Sequence, residues 1–109
     1  MTTDDRTPIL ITTTADKRDM LCGIAAVLVE ERLAACCQIA GPVTSTYRWN
    51  GAIEVADEYV CTIKTVLGRY RAVEQCIRDR HTYDEPEIMW NRIEGGSSTW
   101  LEWLQSEVH

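Results

Sequence analysis

The pair Asn50-Gly51 constrains this chain more than any other feature, because it separates two long extended runs. Asn-Gly supplies the two positive-φ residues of a type I′ turn, whose twist matches that of antiparallel strands. The first run extends from about Cys36 to Trp49, punctuated by Gly41-Pro42. The second runs from Ala52 to Leu67, with Ile53, Val55, Tyr59, Cys61 and Ile63 on alternate positions. A two-residue turn then sets the register: Trp49 faces Ala52, Tyr47 faces Glu54, Arg48 faces Ile53 and Thr46 faces Val55. Strands of about 14 residues reach roughly 46 Å, against roughly 20 Å for a six-residue strand. The hairpin must therefore overhang the sheet it belongs to. Tyr47, Trp49, Ile53 and Val55 are left in need of cover, worth roughly 1.5–3 kcal/mol for each large side chain buried. Self-association into a closed homo-oligomer is the expected remedy.

The other elements follow from periodicity. Ile9 to Thr14 is a β-branched run and reads as a short buried strand. Met20, Leu21, Ile24, Ala25 and Leu28 repeat at helical spacing, with Thr14 or Asp16 expected to cap the helix start. After Gly68 a second amphipathic helix carries Tyr70, Val73, Cys76 and Ile77 up to about His81. Glu87 to Glu94 alternate as a last strand, expected at the sheet edge. Beyond Gly95-Gly96, Thr99 and Glu102 fit a capping box ahead of a terminal helix with Trp100, Leu101 and Leu104. Strand, helix, strand, strand, helix, strand is the split βαβ order, so the expected fold is a ferredoxin-like α+β sandwich. Residues 1–8 read as a polar tail and 9–109 as a single domain.

Composition narrows the function classes. A chain of 109 residues, 45% hydrophobic and 26% charged, holds one ordinary domain. Seventeen acidic against eleven basic residues give a net charge of −6, the wrong sign for nucleic-acid binding. The longest apolar stretch, Met20 to Val29, is half the length of about 20 residues that a bilayer crossing needs. The acidic start, Met1 to Arg6, lacks the features of a secretory signal, so the cytoplasm is the expected compartment. Cys22, Cys36, Cys37, Cys61 and Cys76 form no CxxC pair and read as reduced thiols within apolar segments. Phosphate-loop, nucleophile-elbow and zincin motifs are missing, so the chain is not expected to be an enzyme. A Cys/His nucleophile pair, Cys36 or Cys76 with His81, is the residual alternative.

Several blocks in one order, Glu30-Glu31-Arg32-Leu33-Ala34-Ala35-Cys36, Val43 through Gly51, Ile63-Lys64-Thr65, His81 through Ile88 and Trp100-Leu101-Glu102-Trp103-Leu104, resemble the CutA divalent-cation tolerance family. The resemblance spans about Ile9 to Val108. It implies a ferredoxin-like protomer in a tight homotrimer similar to the PII signalling proteins, and a non-enzymatic role in tolerance of copper and other divalent metals. Some bacterial members are described as binding copper through a first-strand cysteine and two histidines at the end of the second helix. The corresponding positions here are Thr12, Arg80 and His81.

The candidate site residues carry two readings each. His81 and Cys36 are the metal candidates, an imidazole and a soft thiol suited to copper. Their alternatives are a helix-terminal histidine bonded to the following loop, and a buried thiol. Cys36 and Cys37 point to opposite faces and cannot chelate one ion together. Lys64, set in an apolar alternation, needs an anionic partner: a small anionic ligand in a cleft between subunits, or a salt bridge to Glu87 or Glu94. Tyr83, Glu87, Tyr47 and Trp49 complete that expected cleft, Tyr47 and Trp49 serving either as junction packing or as a stacking platform. The expected partners are other copies of the chain and a metal ion or small anion. A structural module that binds another protein is the second reading of the whole chain.

Overall fold

The computed structural model describes residues 5–109. Eight elements follow one another: β1 (Pro8–Ala15), α1 (Arg18–Glu30), β2 (Cys36–Trp49), β3 (Ala52–Val66), a single 3-10 turn (Leu67–Arg69), α2 (Tyr70–Arg80), β4 (Ile88–Arg92) and α3 (Ser98–Glu107). The four strands make one antiparallel sheet in the order β2-β3-β1-β4. This is the expected ferredoxin-like sandwich with β2 and β4 at its edges. Among the described residues no helix is long and apolar enough to cross a membrane.

Asn50 and Gly51 both have positive φ, 49° and 80°, and the register they impose is the one the turn predicts: Trp49 opposite Ala52, Tyr47 opposite Glu54, Arg48 opposite Ile53 and Thr46 opposite Val55. Further along, Gly41 and Pro42 stand opposite Tyr59 alone, a β-bulge between the pairs Ala40–Val60 and Val43–Glu58. One extra residue reverses which face each side chain of β2 takes. The bulge thus sends Cys37 and Ile39 towards the core and places Cys36 beside Lys64 on the other face. Gly41 adopts φ 141°, where an added Cβ would lie 2.9 Å from Tyr59 Cδ1 and 3.0 Å from the Glu58 carbonyl oxygen.

The core lies between one sheet face and the two long helices. Ile9, Ile11 and Ala15 of β1 and Cys61 and Ile63 of β3 meet Leu21, Ile24 and Leu28 of α1 and Val73, Cys76 and Ile77 of α2. Thr13 is fully buried there, and its hydroxyl has no hydrogen-bond partner among the described residues. A second, smaller cluster joins Val66 to Leu104 and Val108 of α3. All five cysteines are free; Cys61 and Cys76 are buried and the other three half-buried. The Cys37 thiol is held up from its ordinary value by its hydrogen bond to the Cys61 sulfur and by burial.

Three local expectations change. Helix α1 starts at Arg18 with Lys17 at its cap position and no side-chain cap bond, so neither Thr14 nor Asp16 performs that role; Thr14 is still in β1. The cap of α3 is Ser97, whose hydroxyl accepts from the Trp100 N–H, two residues earlier than a Thr99–Glu102 box. Residues 5–7 are tied down: Leu67 N–H donates to the Thr7 carbonyl at 2.8 Å, Gly68 N–H donates to that of Asp5 at 2.9 Å, and Arg6 donates to the carbonyls of Gln105 and Val108. Residues 1–4 of the expected tail lie outside the described residues.

Candidate functional site

The end of β1 organises the site. His81, the first residue past α2, turns its ring back to this strand, with Nε2 2.7 Å from the Thr14 carbonyl oxygen. Its Nδ1 accepts the Tyr83 backbone N–H at 3.0 Å, so the ring carries its proton on Nε2 and donates it to Thr14. Both nitrogens are thereby committed to fixing the loop 82–87 against the strand. The ring of Tyr83 packs on His81 with centroids 4.7 Å apart, and its hydroxyl donates to Glu58 Oε2 at 3.0 Å. Burial, then the hydrogen bond to Glu58 and the negative charge of that carboxylate, hold the Tyr83 hydroxyl above the ordinary tyrosine value.

Between this loop and the overhanging hairpin lies a cavity of about 430 Å³. Tyr47, Trp49 and Tyr83 give it aromatic walls; Glu58, Asp84, Glu85 and Glu87 give it four carboxylates; Thr14 and Ser45 complete it. Among the described residues neither lysine nor arginine lines it. Glu58 is only 9% exposed, and its second carboxylate oxygen has no hydrogen-bond partner among the described residues. Alternation explains the convergence: Trp49, Tyr47 and Ser45 share one hairpin face with Glu58, because their cross-strand partners Ala52, Glu54 and Ala56 alternate with that residue along β3.

Tyr47, Trp49, Tyr83 and Glu87 of the expected cleft therefore come together, and Lys64 does not join them. Lys64 lies six residues beyond Glu58 on β3, roughly 20 Å along the strand. Its Nζ donates to Gln38 Oε1 at 2.6 Å and sits 5.7 Å from the centroid of the Trp100 ring. The expected salt bridge to Glu87 or Glu94 is not formed; a neutral amide and an aromatic face take its place. Cys36 pairs with Lys64 in the ladder, four residue pairs of β3 and β1 away from Thr14, so it and His81 do not converge. Thr14, Ser45, Asp84, Glu85 and, most deeply placed, Glu58 are lining residues absent from the expected cleft; for Glu58 the sequence offers little warning. Its only local signal is a carboxylate on the same alternation as Val60 and Thr62.

Residues 9–107 match the family of CutA1 divalent ion tolerance proteins. The chain belongs to that family. The divalent-cation tolerance protein CutA of Thermus thermophilus is 36% identical over 85 residues, 78% of this chain and 82% of that protein. The chloroplastic CutA of Arabidopsis thaliana is 33% identical over 100 residues, 92% of this chain, which spans 55% of the length of that relative. The crystal structure of CutA from Xylella fastidiosa matches with a TM-score of 0.90 at 33% identity, covering 97% of this chain and all of that one. The blocks around Cys36 and Tyr47 thus carry a true family relationship.

A resident copper ion does not fit the residues of this CutA chain. The three positions at which the family resemblance places ligands hold the Thr12 hydroxyl, the Arg80 guanidinium, which donates to Cys76 Sγ at 3.5 Å, and the doubly bonded His81 ring. Among the described residues no three His, Cys, Asp or Glu side chains come together as a metal-holding group.

Proposed function

We propose that this protein is a non-enzymatic, homotrimeric CutA-type binding protein of the cytoplasm, with one small-ligand site per protomer in the Glu58–Tyr83 cavity. Its part in the response to copper and other divalent metals follows from ligand binding there rather than from storage of an ion. One observation carries this reading. Ile53 and Val55 are 66% and 65% exposed on one face of the hairpin, while Tyr47 and Trp49 on the other face line the cavity. Covering the hairpin by a neighbouring copy would stabilise the assembly and bring that neighbour to the cavity rim. Family membership supports the link to divalent ions. The committed His81 ring leaves no general base beside a cysteine, which supports a role in binding rather than catalysis.

Native mass spectrometry tests the reading. Protein purified without chelator is titrated with Cu(II), Zn(II), ATP and small amines. The expected result is a trimer that takes up one small ligand per protomer, with uptake lost in Glu58→Gln while the trimer persists. A trimer that stays empty throughout would point to a protein-interaction module instead and overturn the ligand site.

A further inference from the structure

The ligand class can be read from the cavity walls. Four carboxylates with no lysine or arginine among the lining residues make it a negative pocket in a chain of net charge −6, so the anion expected from Lys64 meets the wrong field there. Inside it, Glu58 is nine-tenths buried and has one oxygen bonded by Tyr83 and the other unpartnered among the described residues. That oxygen stays accessible on an otherwise buried residue of the cavity wall, and an N–H donor carrying positive charge is its strongest partner. A quaternary ammonium has no N–H to give; a protonated amine has. The rings of Tyr47, Trp49 and Tyr83 add faces that attract a cation and apolar surface that suits methylene groups. The carboxylates are spread round the cavity rather than gathered on a point, since no three such side chains form a metal-holding group. From Glu58 to Trp49 the hairpin runs through six ladder positions, roughly 20 Å of strand. An elongated cation with several charges matches that layout better than a bare ion.

We propose that the cavity binds a protonated aliphatic polyamine, one ammonium group donating to the free oxygen of Glu58, the methylene chain lying along Trp49 and Tyr47, and a further ammonium meeting the carboxylates of Asp84, Glu85 and Glu87. This rests on the small-ligand site proposed above and names what fills it.

Isothermal titration calorimetry of the full chain at low salt tests the assignment, with spermidine, putrescine, choline, ATP and Zn(II) as separate titrants. Spermidine is expected to bind saturably at one per protomer, more tightly than putrescine and at least about tenfold more tightly than choline. Glu58→Gln is expected to weaken spermidine at least about tenfold. Should that buried substitution disturb folding, the exposed pair Asp84→Asn with Glu87→Gln serves instead, and is expected to weaken spermidine and flatten its salt dependence. Saturable binding of ATP or Zn(II) with no response to spermidine overturns the polyamine while leaving the small-ligand site standing. Silence from all five titrants overturns both. Spermidine binding that neither variant weakens overturns the assignment to this cavity.

Discussion

Tyr83 and Glu58, 25 residues apart in sequence, are joined by a 3.0 Å hydrogen bond that fastens the loop after α2 to the overhanging part of β3. This one contact closes the inner end of the cavity. Among the described lining carboxylates Glu58 alone belongs to a buried residue, with Asp84, Glu85 and Glu87 all exposed.

Tyr83→Phe removes the donor and strands a buried carboxylate, at an expected cost of ~1–3 kcal/mol in urea unfolding. The pH dependence has a definite sign. Burial and Glu58 raise the folded-state value of the Tyr83 hydroxyl above the unfolded value of about 10. Above that pH the unfolded chain therefore binds fewer protons than the folded one. The stabilisation is complete below about pH 10 and is lost as pH climbs towards the raised folded value. Tyr70, raised chiefly by burial, adds to the same slope. Tyr83→Phe should lose stability less steeply than wild type as pH rises from about 10 to about 11, where unfolded tyrosine titrates; an identical slope would contradict the role given to Tyr83.

Gly41→Ala puts a Cβ against backbone atoms of Glu58 and Tyr59 at a φ of 141° that alanine avoids. The expected loss is ~1–3 kcal/mol, again by urea unfolding. Gly23, which has open space around its Cα, is the control, and Gly23→Ala in the exposed part of α1 should stabilise by about 0.5–1 kcal/mol.

Thr13→Val replaces a fully buried hydroxyl that has no partner among the described residues by a methyl group of similar shape. Removing the desolvated polar group should leave stability unchanged or raise it by about 1 kcal/mol. A clear loss would show that the hydroxyl has a bonding role.

Much of this structure is legible in the sequence because local chemistry dictates it. Asn50-Gly51 alone fixes the register of the hairpin tip, and the 3.6-residue stripe of Leu21, Ile24 and Leu28 fixes the buried side of α1. What is not legible depends on a single inserted residue or on long-range packing. The bulge at Gly41-Pro42 shifts the pairing sum by one, which is why Cys36 meets Lys64 and Cys37 enters the core. Lys64 finds Gln38, a neutral partner that a search for opposite charge overlooks. Tyr47, Trp49, Tyr83 and Glu87, expected in a cleft between subunits, line a cavity within one protomer, and Glu58 is hidden because its burial comes from a loop more than 20 residues later in the chain.

The hairpin face carrying Ile53 and Val55 is the surface on which the whole account depends, and sedimentation equilibrium tests it most directly. Wild type should sediment as three copies of the 12.4 kDa chain, and the double variant Ile53→Asp with Val55→Asp should fall to single chains, since two carboxylates cannot be buried there unpaired. A wild-type protein that sediments as a single chain, or a double variant that remains trimeric, would contradict the claim that a neighbouring copy covers the hairpin.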